Sequence, residues 1–157
     1  MKRLTMDDYS ITERLAVESY LSTILWCGLE EDEDIDDDDN AKPSLMNIDP
    51  QCFMAQAFIV TELWDIYRQL GWVQDTHKQA YDFGYDLYLS RIGAGTGFWD
   101  DYGDKKWHGH GDDIHKDVIA LREPLVYRGD DGEIRIEEDD WGNTRVSILY
   151  LKEKYNA

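Results

Sequence analysis

The sequence is short of positive charge and of cysteine, and it has no long apolar run. Sixteen basic side chains stand against 34 acidic ones over 157 residues, a formal net charge of −18 with an isoelectric point near 4.3. That balance argues against a protein built to grip phosphates, because nucleic-acid binders concentrate Lys and Arg to displace counterions. No stretch reaches the ~18–20 apolar residues that cross a bilayer, and MKRLTMDDYS is followed by no apolar signal core. Neither a membrane span nor secretion is expected, and the chain is read as cytoplasmic. Cys27 and Cys52 form no C-x-x-C pair and no disulfide framework. Each sits in an apolar helical context and is read as a reduced, small core residue. There is no Gly-x-Ser-x-Gly elbow, no Ser-His-Asp order and no histidine near either cysteine in sequence, so nucleophilic catalysis has no support.

What the chain does have is apolar and aromatic material, 42% hydrophobic and 13% aromatic residues, which disordered chains lack. Residues 1–157 are expected to form one domain, with an acidic flexible loop at about 29–44. Leu15, Tyr20, Leu21, Ile24 and Leu25 mark a first helix from about Asp8 to Gly28, capped by Ser10 or Asp8. Asp49-Pro50 announces a second helix running to Gly71, apolar over much of its circumference and expected to be the most buried element. Asp75 is placed to cap a short third helix, Thr76 to Phe83. Beyond Gly84, Tyr85, Leu87 and Leu89 alternate with polar residues and predict a strand. Asp112 to Leu121 reads as a helix capped by Asp112 or Asp113. Leu125-Val126-Tyr127 and Ile134-Arg135-Ile136 flank Gly129-Asp130-Asp131-Gly132 as a hairpin, and Val146 to Leu151 predicts a further strand. The fold class is therefore α+β, N-terminal helices on a small, mainly antiparallel C-terminal sheet.

Three groups of residues could carry function. The first is acidic. Glu30, Glu31, Asp32, Glu33, Asp34, Asp36, Asp37, Asp38 and Asp39 make nine of ten consecutive residues acidic, and a second group gathers Asp130, Asp131, Glu133, Glu137, Glu138, Asp139 and Asp140. An extended chain advances ~3.3 Å per residue and a DNA strand ~3.4 Å per phosphate, so consecutive carboxylates match the pace of a phosphate strand. Such surfaces speed encounter with basic partners.

The second group is the glycine-rich loop, Gly93, Gly95 and Gly97 followed by Phe98, Trp99 and Asp100, with Arg91 before it. It lacks the dinucleotide-binding spacing. The glycines are expected to allow positive φ and to turn Phe98 and Trp99 back onto the core, with Arg91 in a structural ion pair. The third group, His108, His110, Asp112, Asp113 and His115, offers imidazole and carboxylate ligands for a divalent metal. It approaches the His-x-His-x-Asp-His motif of metallo-β-lactamase-type hydrolases, but Asp113 stands where that motif needs His, and only His77 lies outside the cluster. A solvated loop feeding a helix cap is the leading reading, and no cofactor is expected otherwise. Gly129 to Gly132 lacks the ligand ladder of a calcium loop.

From Asp82 to Glu133 the order DFGYDLYLSR-IGAGTGFWDD, GDDIHKDVIAL and LVYRGDDGEI resembles a family of small acidic proteins of tailed bacteriophages. That family carries a strand, a glycine-rich loop ending in Gly-Phe-Trp-Asp, a helix and a Gly-Asp-Asp-Gly hairpin. Ile92 and Ala94 depart from its usual Asn and His. The resemblance implies a phage product in the bacterial cytoplasm, where small acidic proteins often antagonise host nucleic-acid enzymes, some by imitating DNA. The function expected is thus non-enzymatic binding of a basic host protein, a nucleic-acid-processing or defence enzyme, with inhibition or modulation as the outcome. The alternatives are a metal-binding module or metal-dependent hydrolase using His108 to His115, and an accessory or structural phage protein. No direct nucleic-acid or membrane partner is expected.

Overall fold

The computed structural model describes residues 6–29, 44–99 and 105–157. The run Glu30 to Asp39 and Asp100 lie outside them. Among the described residues the α-helices α1 (Ile11–Cys27), α2 (Pro50–Gln69), α3 (His77–Arg91), α4 (Gly111–Ile119) and α5 (Trp141–Tyr155) accompany an antiparallel pair, β1 (Leu125–Arg128) and β2 (Ile134–Glu137). The α+β class holds.

Helix α1 starts where Ser10 accepts from the Glu13 N–H and Glu13 answers on the Ser10 N–H, a reciprocal cap. It packs on α3 in parallel: the Thr12 hydroxyl donates to Asp75 at one end, Ser19 to the Tyr81 carbonyl midway, and Gly28 meets Tyr88 at the other. The helices touch at Gly84, where an added Cβ would stand 2.2 Å from the Ala16 carbonyl oxygen. Helix α2 runs back antiparallel to α1, Gln56 on Tyr20 and Asp65 near Glu13, and α5 lies alongside α2 in the same direction, Trp141 against Phe58 and Tyr155 against Tyr67. The aromatic centre joins them: Phe83 sits against Trp64, Phe98 and Trp107 with ring centroids 5.3 to 6.0 Å apart.

Two strand expectations are corrected. Tyr85 to Leu89 continues α3, and the family-like strand is this helix. Its alternation misleads because the last six residues of α3, Asp86 to Arg91, are all buried, so no exposed position among them marks a helical period, although Tyr81 and Tyr85 before them are exposed at helical spacing. Buried over nine of its fifteen residues, α3 rather than α2 is the most enclosed helix. Val146 to Leu151 belongs to α5, whose inward positions Thr144, Ile148 and Leu151 follow helical spacing. Asp140 begins it by accepting from the Asn143 N–H at 3.2 Å.

Other caps shift by a residue or two. Thr76 caps α3, accepting from the Gln79 N–H, which leaves Asp75 free for Thr12. His110 occupies the cap position of α4, with Asp112 and Asp113 in its first turn, where carboxylates favour the helix dipole. Neither cysteine is a core residue: Cys27 is exposed at the end of α1 and Cys52 is half-buried. No helix among the described residues is long and apolar enough to cross a membrane.

Candidate functional site

The hairpin turn is set by Gly132 at φ +83°, with Gly132 N–H on the Gly129 carbonyl and Gly129 N–H on the Glu133 carbonyl at 2.7 Å. Asp131 accepts from the Glu133 N–H and from Arg135, which also reaches Asp49 at 2.5 Å. Asp49 caps α2 through the Cys52 N–H, a bond that holds its carboxyl below the usual carboxylate range, with Arg135 adding to it. Ile48 pairs with Ile134 on the outer side of β2, and the Asp49 N–H donates to the Ile134 carbonyl at 2.9 Å.

These contacts pin residue 44 onward to the hairpin. At the other anchor, the end of α1, Gly28 lies so near β1 that an added Cβ would be 3.2 Å from Val126. The chain therefore leaves the described body at residue 29 and re-enters it at residue 44 with both anchors beside the hairpin. The described stretches that flank the first acidic group thus both lie beside the hairpin that carries the second, about ninety residues further along the sequence. The described residues hold 22 acidic and 13 basic side chains, a net −9, so half the total charge resides on them.

Within the second acidic group the residues divide by role. Asp130, Asp131, Glu137, Asp139 and Asp140 are exposed. Of these, Glu137 accepts from the Tyr127 hydroxyl and Asp139 from Arg122. Glu138 is the exception and corrects the expectation of a surface contact: its side chain is 3% exposed and ion-paired with Arg91, whose own is 0% exposed. Gln56 and Thr144 also donate to Glu138, while Arg91 donates to Tyr20 at 2.7 Å and to the carbonyls of Leu121 and Arg122. Burial raises the Tyr20 hydroxyl to about 12, so it stays protonated and donates to Gln56. The expected structural ion pair of Arg91 is this one. It satisfies a buried charge from four directions.

The glycine loop also closes inward. Gly93, Gly95 and Gly97 all take positive φ, and at Gly97 a Cβ would lie 2.4 Å from Ser90 Oγ, the atom that accepts the Phe98 N–H. Phe98 is fully buried, but Trp99 stays 41% exposed, tilted against His115. The first half of the expectation holds and the second is corrected: Trp99 turns outward because Phe98 and Trp107 already fill the space beside Phe83.

The histidines do not converge. His108 is exposed at φ +56° and lines a groove of about 710 Å³ with Lys78, Lys105 and Lys106. His110 stacks on Trp72 with centroids 4.3 Å apart and bonds Asp113 at 3.2 Å. Asp112 pairs with Lys116. His115 lies against Trp99, its Nδ1 buried and its imidazolium disfavoured by that burial. Among the described residues no group of three or more His, Cys, Asp or Glu is placed to hold a metal ion.

Sequence reasoning missed Asp49 and Arg135. The Asp49-Pro50 cap signal located the first, but its pairing with a residue 86 positions away has no local signature. No family model, curated protein or solved structure matches the chain.

Proposed function

We propose that this chain is a non-enzymatic acidic protein that binds a basic partner, a bacterial nucleic-acid-processing or defence protein, and modulates it. The observation that carries the reading is the shared attachment of the two acidic groups. The run Glu30 to Asp39 is tethered at both ends beside the hairpin that bears Asp130, Asp131, Glu133 and Glu137. Charges gathered on one side of a protein raise encounter rates with an oppositely charged surface far more than the same charges spread evenly. The phage context rests on the resemblance of the loop before Asp100 and of the Gly129 to Gly132 hairpin.

The test takes the partner captured from a bacterial lysate, purifies it, and measures its affinity for the chain as salt is raised through the range where the Debye length falls from about 30 Å to about 8 Å. The affinity is expected to drop steeply. It should drop further for a variant with Glu30 to Asp39 changed to Ser, and again when Asp130 and Glu133 are neutralised in addition. An affinity indifferent to salt and to both changes overturns the proposal. Competition by duplex DNA distinguishes imitation of DNA from contact at another basic surface of the partner.

A further inference from the structure

We propose that the outer edge of β1 is a docking strand, to which an extended basic segment of the partner adds as a further strand of the sheet. This inference rests on the acidic-partner reading and names how that partner is held. The sheet is asymmetric. β2 is paired on both sides, by β1 and by Ile48, whereas β1 has β2 on one side alone among the described residues.

Which backbone groups of β1 are available follows from the ladder. The Ile134 carbonyl goes to the Asp49 N–H, and the Ile136 N–H faces the Cys52 thiol, so both residues turn their backbone away from β1. In an antiparallel pair the hydrogen-bonded and non-bonded partners alternate. Arg128, opposite Ile134, and Val126, opposite Ile136, therefore turn their N–H and C=O groups outward. No described residue bonds to those four groups. A row of unpaired strand groups is a ready template for another chain.

The surroundings select the occupant. On the solvent face of the hairpin Leu125 is 61% and Tyr127 37% exposed, so side chains of an added strand would find apolar surface there. From Glu123 to Asp140 the chain carries seven carboxylates outside the buried Glu138–Arg91 pair, against two guanidiniums. Lys or Arg at every second position satisfies both features: the aliphatic stem lies along Tyr127 and the charged head reaches Glu137, which already bonds the Tyr127 hydroxyl.

The test uses the full chain, nitrogen-15 labelled, and a synthetic peptide alternating lysine with valine. At low salt the peptide should bind and slow hydrogen exchange at the Val126 and Arg128 amides by about tenfold or more, the signature of new strand pairing. Arg128→Pro removes one outward N–H and spares the bonds to β2, a position where edge strands tolerate proline; it should weaken binding about tenfold, while Arg128→Ala binds at least as well as the parent. Two results overturn the docking strand and leave the acidic reading standing: peptide bound with both amides exchanging as before, or a folded Arg128→Pro binding like Arg128→Ala. The amide measurement is made on the unaltered chain, so it decides even where Arg128→Pro fails to fold. Absence of any binding at low salt overturns both.

Discussion

Arg91 and Glu138 form an ion pair whose side chains are 0% and 3% exposed, linking the end of α3 to the segment between β2 and α5. Both charges are otherwise satisfied by Tyr20, Gln56, Thr144 and two carbonyls. Removing one partner strands the other in the interior. Glu138→Ala or Arg91→Ala should each cost about 3–5 kcal/mol in urea unfolding, while the apolar pair Arg91→Met with Glu138→Leu should cost less than either. A double variant weaker than both singles would show that the surrounding hydrogen bonds, not the pair, hold this region.

The α1 to α3 contact predicts a glycine effect of opposite sign at two helical positions. Gly84→Ala puts a Cβ 2.2 Å from the Ala16 carbonyl oxygen and 2.7 Å from the Tyr20 nitrogen, both backbone atoms that cannot swing aside. Its overpacking should outweigh the ~1 kcal/mol gain in helix propensity and lower stability by about 1–3 kcal/mol. Gly142→Ala, in the first turn of α5 with its nearest neighbour 3.3 Å away at the Asp140 carboxylate, should be neutral or stabilising. Thermal melts of the two variants decide.

Asp65 predicts a pH dependence. Burial first, and Glu13 second, raise its carboxyl from the ordinary 3.8 to about 6. The folded state therefore holds this proton more tightly than the unfolded chain. That contribution is fully present below about pH 4 and is lost as pH rises through 6. Asp65→Asn should be more stable than the parent at pH 7, by less than about 1 kcal/mol because the side chain is 35% exposed and water screens it. The advantage should vanish near pH 4, and a gain unchanged between the two pH values would contradict the cause given.

Arg135 holds Asp49 and Asp131 together and so ties the start of α2 to the hairpin. Arg135→Ala should lower stability in urea unfolding through the loss of two charge-assisted bonds. Hydrogen exchange at the Asp49 amide, bonded to Ile134, should accelerate before that of the core helices. Uniform acceleration would show that the tie is not local.

Much of the frame was legible in the chain itself. Ser10 before α1, Asp49-Pro50 before α2 and the Gly129 to Gly132 turn are local signals, satisfied within a few residues, and each lies where the sequence puts it. The misread segments are those whose partners lie far away. Asp86 and Ser90 look like the outward half of a strand and Arg91 like its charged end, yet they are drawn inside by Trp107, Phe98 and Glu138, which bond to them across 21, 8 and 47 positions. Glu138 likewise sits in an acidic stretch that reads as surface, and its burial is explained by Arg91 together with Gln56 and Thr144.

The sequence by itself determined the charge, the caps of α1 and α2, the hairpin and the separation of acidic residues into two groups, because composition and short-range hydrogen bonds need no knowledge of the rest of the chain. Tertiary structure alone decided that the stretches flanking the acidic run lie beside the hairpin, that the histidines part company, and that among the described residues β1 pairs with β2 alone. Each depends on long-range contacts: Ile48 on Ile134, His110 on Trp72, Gly28 on Val126. Each such contact must offset the entropy lost in closing a loop of many residues, and no local pattern encodes where such loops close.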